Sequence, residues 1–133
     1  MGLSLSNSGL TGADYIEFNG VKTYYKTIYM GGSSTYTFDI DVKTVTGSGN
    51  IYEVFAGFTH YSTAYGAVLK QIVAHRSNGQ ADVTIIDTIT NHTSPNGGSW
   101  SVSYVDGNTI RLTKAAGSSG GSGYGYILVR GQS

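Results

Sequence analysis

Hydrophobic and polar residues alternate with a period of two along much of this chain. In TYTFDIDV (residues 35–42) every second side chain is apolar or aromatic, and the others are Thr or Asp. SWSVSYV (residues 99–105) repeats the pattern, with Trp100, Val102 and Tyr104 alternating with serines. This period is typical of a strand that has one buried and one solvated face.

Turn-forming residues separate the runs of this kind. Asn19-Gly20 lies between YIEF (residues 15–18) and VKTYYKTIY (residues 21–29), and Asn-Gly between two strand-like runs is the strongest short hairpin signal. GSGN (residues 47–50), SNGQ (residues 77–80) and DGN (residues 106–108) are further turn candidates. The chain is thereby divided into short segments of strand length.

Two segments do not show simple alternation. IYEVFAGFTHY (residues 51–61) has apolar residues at both odd and even positions, which predicts a central strand buried on both faces. Within it, Gly57 is expected to mark a bulge or a close approach of another chain segment. AYGAVLKQIVAHR (residues 64–76) has apolar positions that also fit one face of a helix. Its Gly66, the missing N-cap signal and the β-rich surroundings favour a strand.

These segments predict an all-β chain with no secure helix. We expect eight to nine short strands in an antiparallel, jelly-roll-like β-sandwich, formed as a single domain by residues 14–133. Residues 1–13 are small and polar, without periodicity, and are interpreted as an N-terminal arm. The side chains expected to be buried together are Phe38, Ile40, Phe55, Phe58, Trp100, Val102, Leu112 and Leu128.

The glycine-rich segment GSSGGSGYGYILVRG (residues 117–131) matches two functional patterns only in part. Its first five residues fit the G-x-S-x-G pattern of hydrolases, but that serine lies between a strand and a helix, and no helical segment follows here. A phosphate-binding loop is excluded as well, because no G-K-S/T sequence closes the segment. We interpret it as the turn of a hairpin that joins TIRLTK (residues 109–114) to YGYILVR (residues 124–130).

Composition argues against several classes of function. Charged residues make up 12% of the chain, about half the usual share, and Lys plus Arg balance Asp plus Glu at 8 each. Without a basic surface, nucleic-acid binding is not expected, and no apolar window is long enough to insert into a membrane. The absence of cysteine excludes thiolate metal sites, and no cofactor motif is present. The abundant Ser, Thr, Gly and Tyr suit a wet, adaptable contact surface.

Candidate catalytic residues are few. His60, His75 and His92 are far apart in sequence and lack the short spacing of a metal site, so no metal is expected. The paired-carboxylate site of a polysaccharide-degrading enzyme is possible through Asp39, Asp41 or Glu53. Asp39 and Asp41 nevertheless fit the solvent-exposed face of an alternating strand. We therefore expect no catalytic residues and no enzymatic activity.

Tyrosine is the most distinctive residue for binding, with 11 in the chain. Tyr61 and Tyr65 flank the polar turn HYSTAY, where they are expected either to contact a sugar or protein partner or to close the sandwich through hydrogen-bonded hydroxyls. The residues expected to form a ligand or partner surface are His60, Tyr61, Tyr65, His92, Tyr124 and Tyr126.

Two long stretches carry a family resemblance. EVFAGFTHYSTAYGAVLKQIVAHRSNG and GGSWSVSYVDGNTIRLTKAAGSSGGSGYGYILVRG, within residues 50–131, resemble the C-terminal receptor-binding domains of bacteriophage tail-fibre and virion appendage proteins. The similarity lies in the order of segments: an aromatic strand, a histidine-bearing turn, a Gly-Gly-Ser-Trp strand, a T-I-R-L-T-K strand, a glycine loop and an aromatic strand. It includes no catalytic motif, and no ligand residues are carried over.

The resemblance implies a homotrimeric, non-enzymatic virion protein that meets host surface polysaccharide or protein. The arm is expected to bind other virion proteins, and residues 124–129 are expected near the threefold axis or the subunit boundary. Such domains usually end a longer fibre, so the chain is interpreted as either a fibre fragment or a free-standing virion protein. The alternatives are a capsid decoration protein that stabilises the shell and, third, a polysaccharide-degrading enzyme.

Overall fold

A computed structural model describes residues 15–18, 21–42, 51–60, 66–76, 82–118 and 121–131. All the elements in these residues are strands: β1 (Tyr15–Phe18), β2 (Val21–Gly31), β3 (Tyr36–Asp41), β4 (Ile51–His60), β5 (Gly66–Arg76), β6 (Asp82–His92), β7 (Ser99–Asp106), β8 (Thr109–Ala115) and β9 (Ser122–Gly131). The described ranges contain no helix long and apolar enough to cross a membrane. The predicted arm, residues 1–13, lies outside the described residues.

The strands form two antiparallel sheets. The large sheet has the order β1-β2-β9-β4-β5-β6, and the small sheet has the order β3-β8-β7. Buried side chains from both sheets form one hydrophobic core, which confirms the predicted antiparallel β-sandwich. The strands are divided six and three, whereas a jelly roll in its common form has eight.

Several local predictions are confirmed by the strand pairing. β1 and β2 pair from Tyr15 with Tyr24 to Phe18 with Val21, so only residues 19 and 20 separate the two strands. β7 and β8 meet at Asp106 and Thr109, around the predicted turn. The ambiguous segment of residues 64–76 contains β5, a strand with buried positions on its inward side.

The predicted hairpin between β8 and β9 is wrong. β8 lies in the small sheet between β3 and β7, whereas β9 lies in the large sheet between β2 and β4. The glycine-rich segment is therefore a crossover between sheets. Its start is held by two backbone hydrogen bonds: the Gly117 amide donates to the Gly32 carbonyl at 2.7 Å, and the Ser118 amide donates to the Pro95 carbonyl at 2.8 Å.

Glycine is required where these loops cross. A Cβ on Gly117 would lie 2.2 Å from the carbonyl oxygen of Asn96, and a Cβ on Gly98 would lie 1.9 Å from that of Ala115. Gly98 also has a φ of 89°, a conformation that residues with a side chain rarely adopt. The small residues of the segment thus allow close backbone contact, and they do not form a hairpin turn.

The inward faces of both sheets supply the core. Phe38, Ile40, Phe58, Trp100 and Leu112 are buried as predicted, and Val102 is half-buried against them. The Trp100 ring lies 6.2 Å from that of Phe38, and its Nε1 donates to the Ala67 carbonyl at 3.1 Å, which links the small sheet to β5.

The prediction that β4 is buried on both faces is wrong. Its even-numbered residues Tyr52, Val54, Ala56 and Phe58 face the core, whereas Phe55 is 37% exposed on the opposite face. Leu128, which pairs with Phe55, is only half-buried for the same reason. No sheet covers that outer face among the described residues. Gly57 lies in a regular part of the β4–β5 ladder, without a bulge.

Among the residues whose burial is described, one charged side chain lies inside the sandwich. Lys114, on β8, is fully buried, and its Nζ donates to the carbonyls of Gly32 at 3.0 Å and of Ser34 and Ala115 at 3.3 Å each. The same ammonium lies 5.0 Å from the centre of the Phe58 ring, a cation–π distance. Burial lowers its pKa from the ordinary 10.5. The lysine thereby joins the small sheet to the loop after β2.

Candidate functional site

The outer face of the large sheet carries a group of exposed aromatic side chains, which we call the aromatic face. Its members come from three neighbouring strands, β2, β9 and β4, and are 37–61% exposed: Tyr25, Tyr29, Phe55, Tyr124 and Tyr126. Such a group is unusual on a protein surface, where large apolar side chains normally occur singly and contiguous patches mark contact sites.

The strand register places these side chains next to one another. Tyr29 on β2 pairs with Tyr124 on β9. In a second row, Leu128 on β9 lies between Tyr25 and Phe55. Because directly paired residues of antiparallel strands point to the same face, every member of both rows is on the outer side of the sheet.

Local contacts orient the tyrosines. The rings of Tyr29 and Tyr124 lie 5.1 Å apart in an edge-to-face arrangement, which is favourable for aromatic pairs. The Thr27 hydroxyl donates to the Tyr25 hydroxyl at 3.1 Å. Tyr126 lies in the row between those of Tyr124 and Leu128, directly across the ladder from Gly57, which has no side chain. A Cβ at Gly57 would meet ring atoms of Phe55 at 3.6 Å, so the Phe55 ring lies over the buried Gly57.

The charges of the aromatic face are paired at one end. Arg130 on β9 and Glu53 on β4 pair across the ladder and form a salt bridge on the outer side of the sheet. The rings therefore have an ion pair at one end, and Lys70 on β5 lies exposed directly across the ladder from Phe55. Aromatic rings with phenolic hydroxyls can pack against the apolar face of a sugar or a protein side chain while donating hydrogen bonds at the rim.

The structure brings together some of the predicted surface residues. Tyr124 and Tyr126 belong to the aromatic face. His92 is exposed on the same side of the sheet, in the cross-strand row of Tyr126. It lies three strands from Tyr126, or about 14 Å away at the usual strand spacing. For His60 the structure describes the backbone, at the end of β4, and Tyr61 and Tyr65 lie outside the described residues.

Sequence reasoning missed Tyr25, Tyr29 and Phe55. A signal for the first two was present, because in VKTYYKTIYMG the residues Tyr25, Thr27 and Tyr29 alternate with the inward Tyr24, Lys26, Ile28 and Met30. No comparable signal marks Phe55. Its strand has apolar residues on both sides, and only the strand order shows which side has no covering layer in the described part of the chain.

The candidate catalytic carboxylates do not share a site. Asp39 is on the outer face of the small sheet, where its Oδ1 accepts from Arg111 Nε at 2.7 Å. Glu53 is on the outer face of the large sheet, bound to Arg130. The Arg111 guanidinium lowers the pKa of the Asp39 carboxyl from its ordinary 3.8. Among the described residues, no three His, Asp or Glu side chains are grouped closely enough to hold a metal ion.

His75 has a structural position. It is buried between the sheets, its Nε2 donates to the Asp106 carbonyl at 2.8 Å, and its ring stacks on Tyr104 at 5.6 Å. These contacts join β5 of the large sheet to β7 of the small sheet. The histidine therefore closes one end of the sandwich.

Comparison with solved structures gives a remote likeness to the tailspike protein of Acinetobacter phage vB_ApiP_P1. The TM-score is 0.39 and the sequence identity is 16%. The match covers 80% of this chain and 22% of the tailspike chain, so this chain spans less than a quarter of the tailspike's length. No protein-family model matches the chain, and no curated protein matches it.

Proposed function

We propose that this chain is a bacteriophage virion protein of the tail-fibre or appendage type, which binds a partner through the aromatic face. The observation that carries the proposal is the aromatic face itself, with five large rings exposed on one side of the sandwich. The segment order of residues 50–131, which resembles that of fibre and appendage domains, supports the virion location. The proposed partner is host surface glycan or protein, and the proposed assembly is a homotrimer.

The proposal is for a binding protein and not an enzyme. Supporting it, Asp39 and Glu53 lie on opposite outer faces of the sandwich, and each is bound to an arginine. A glycosidase needs two carboxyl groups within about 5–10 Å of each other across one bond. Release of reducing sugar from host polysaccharide by the purified protein would contradict this part of the proposal.

The virion location is tested on purified particles of the phage whose genome encodes the chain. We expect mass spectrometry to detect the chain in the particles, and a gold-labelled antibody to mark the tail. Label on the head instead would favour the capsid decoration alternative. Absence of the chain from the particles would overturn the virion proposal.

Binding is tested with a fluorescently labelled protein on cells that the phage infects. We expect the double substitution Tyr124→Ser and Tyr126→Ser to weaken cell binding by about tenfold or more, because exposed rings at a contact centre carry much of the binding energy. The matched control is Thr37→Ala with Thr113→Ala, a cross-strand pair on the outer face of the small sheet. Equal loss in both variants, or in neither, would contradict the assignment to the aromatic face. Cells stripped of surface polysaccharide distinguish a glycan from a protein partner.

A further inference from the structure

β6 combines several properties that set it apart as an edge strand. It lies at one end of the large sheet and, in the described part of the chain, pairs only with β5. Its outward backbone groups therefore have no strand beside them. Natural sheets usually protect such an edge with lysine, proline or a covering segment. The sequence of β6, DVTIIDTITNH, contains neither lysine nor proline.

Three isoleucines are exposed on this unprotected strand. Ile85, Ile86 and Ile89 are 49%, 55% and 51% exposed, and every residue from 84 to 92 is exposed. Ile85 pairs with the buried Val73, so it points toward the small sheet. The small sheet has three described strands, and its strand β7 packs against β5 and β6 without covering Ile85 fully. The large sheet thus extends, at β6, beyond the small sheet that packs against it.

Two irregularities in the β5–β6 ladder fall at the other two isoleucines. The register shifts between Lys70 and Gln71 and again between Ile72 and Val73, and the residues of β6 left without a partner are Ile89 and Ile86. Bulges bend a strand and interrupt the regular spacing of its backbone groups. A long hydrogen-bonded ladder with a further strand is therefore disfavoured, and any molecule that covers β6 has to pack on its side chains.

We propose that the β6 edge is a self-association surface, covered by the same edge of a second copy of this chain. We call Ile85, Ile86 and Ile89, with the threonines between and beside them, the isoleucine edge. Because an edge that covers itself relates two copies by a twofold axis, this contact joins chains in pairs and is separate from the threefold contact of the proposed homotrimer. It does not depend on what the aromatic face binds.

Charge supports a second copy as the occupant. In a contact between two identical surfaces, each charged group comes near groups of the same charge. A surface suited to such a contact therefore has few unpaired charges. β6 has two acidic residues, and Asp82 is bound to Arg76 on β5 by two hydrogen bonds of 2.8 and 2.7 Å. Asp87 is therefore the only acidic residue of β6 outside this ion pair. The chain as a whole has a formal net charge of zero, so long-range repulsion between copies is absent.

The size of the edge also fits. Eleven residues of strand extend over about 36 Å, and a band reaching about 10 Å to either side covers about 700 Å². A stable protein interface takes about 800 Å² from each partner. Isoleucine and threonine both pack well on strand surfaces, so two copies of the same edge can interdigitate.

The test measures oligomeric state by native mass spectrometry and sedimentation at micromolar concentrations. We expect the wild-type protein to associate, and the double substitution Ile86→Glu with Ile89→Glu to raise the dissociation constant at least about a hundredfold, because four or more carboxylates would be buried against each other. The matched control is Ile51→Glu on β4, with an isoleucine of 50% exposure outside the edge. It should leave the association unchanged.

Each outcome bears on a different proposal. A wild-type monomer would overturn both the self-association surface and the homotrimer, while the virion location would still be decided on particles. An oligomer that survives the β6 substitutions, or that Ile51→Glu dissociates, would overturn the isoleucine edge alone.

Amide hydrogen exchange gives a second readout that needs no substitution. Exchange of the β6 amides should slow as protein concentration rises, and equal exchange at all concentrations in an associating sample would contradict the proposal.

Discussion

Lys114 offers the sharpest test of what holds the two sheets together. The substitution Lys114→Met keeps most of the side-chain volume and removes the ammonium, together with its hydrogen bonds to three carbonyls. Of these carbonyls, Gly32 retains the Gly117 amide as a donor, and those of Ser34 and Ala115 belong to exposed residues that water can reach. The loss is therefore smaller than three buried unsatisfied acceptors would cause.

We expect Lys114→Met to lower the free energy of unfolding by about 1–3 kcal/mol at neutral pH, the usual range for removing hydrogen bonds to a charged group. Lys114→Ala should cost about 3–5 kcal/mol, because it also leaves a cavity beside the Phe58 ring. Urea unfolding at 25 °C measures both. Lys70→Met, on the exposed side of β5, is the control and should change stability by less than about 0.5 kcal/mol.

The pH dependence separates charge from packing. Burial lowers the pKa of Lys114 in the folded chain, so the unfolded chain binds the proton more tightly. Unfolding free energy then rises with pH in the window from the lowered pKa up to about 10.5, and this rise is absent when the amine is removed. The gap between the wild type and Lys114→Met should therefore widen across that window. A methionine variant as stable as the wild type, or a gap that narrows there, would refute this account of Lys114.

Three further expectations follow from single contacts. Trp100→Ala should cost about 3–5 kcal/mol in urea unfolding, because it removes a core ring and a buried hydrogen bond, and an unchanged transition would show the ring is not core. Gly125→Ala should lower the free energy of unfolding by about 1–3 kcal/mol, since its Cβ would lie 2.6 Å from Met30 Cε. The control Gly57→Ala should change stability little. Equal melting temperatures of the two variants would contradict the close packing at Gly125. Arg111 lowers the pKa of Asp39 below 3.8, so the ionised Asp39 stabilises the fold above that pH, and this stabilisation is lost as the pH falls through the lowered pKa. Asp39→Asn should therefore reduce the fall in melting temperature at acid pH. An unchanged fall would contradict a stabilising Arg111–Asp39 ion pair.

Much of the fold follows from local sequence, because alternation and turn chemistry act over a few residues. The Asn-Gly hairpin of β1 and β2, the turn at Gly107, and the strand character of β5 were all predictable in this way. The core side chains Phe38, Ile40 and Trp100 were predictable too, since each lies on the apolar side of an alternating strand.

The failures have a common physical cause. A glycine-rich connection has the same local chemistry whether it joins two strands of one sheet or crosses between sheets, and the choice depends on which ladder is free to accept the next strand. Here β2 and β4 accept β9. In the same way, Phe55 would be buried on a strand covered on both sides. It is exposed because the described residues place a layer over one side of the large sheet and none over the other.

Strand order also determines when this sheet can form. β2 and β4 have no ladder to each other, and the strand that joins them, β9, is the last described strand along the chain. Thr23 pairs with Arg130, so this ladder closes between distant parts of the sequence. Until β9 has been synthesised, β1 and β2 on one side and β4, β5 and β6 on the other present open edges, and such edges are prone to pair with other chains. During biosynthesis, completion of the large sheet therefore depends on its final strand, and chains that stop before β9 should aggregate even though every other strand is present.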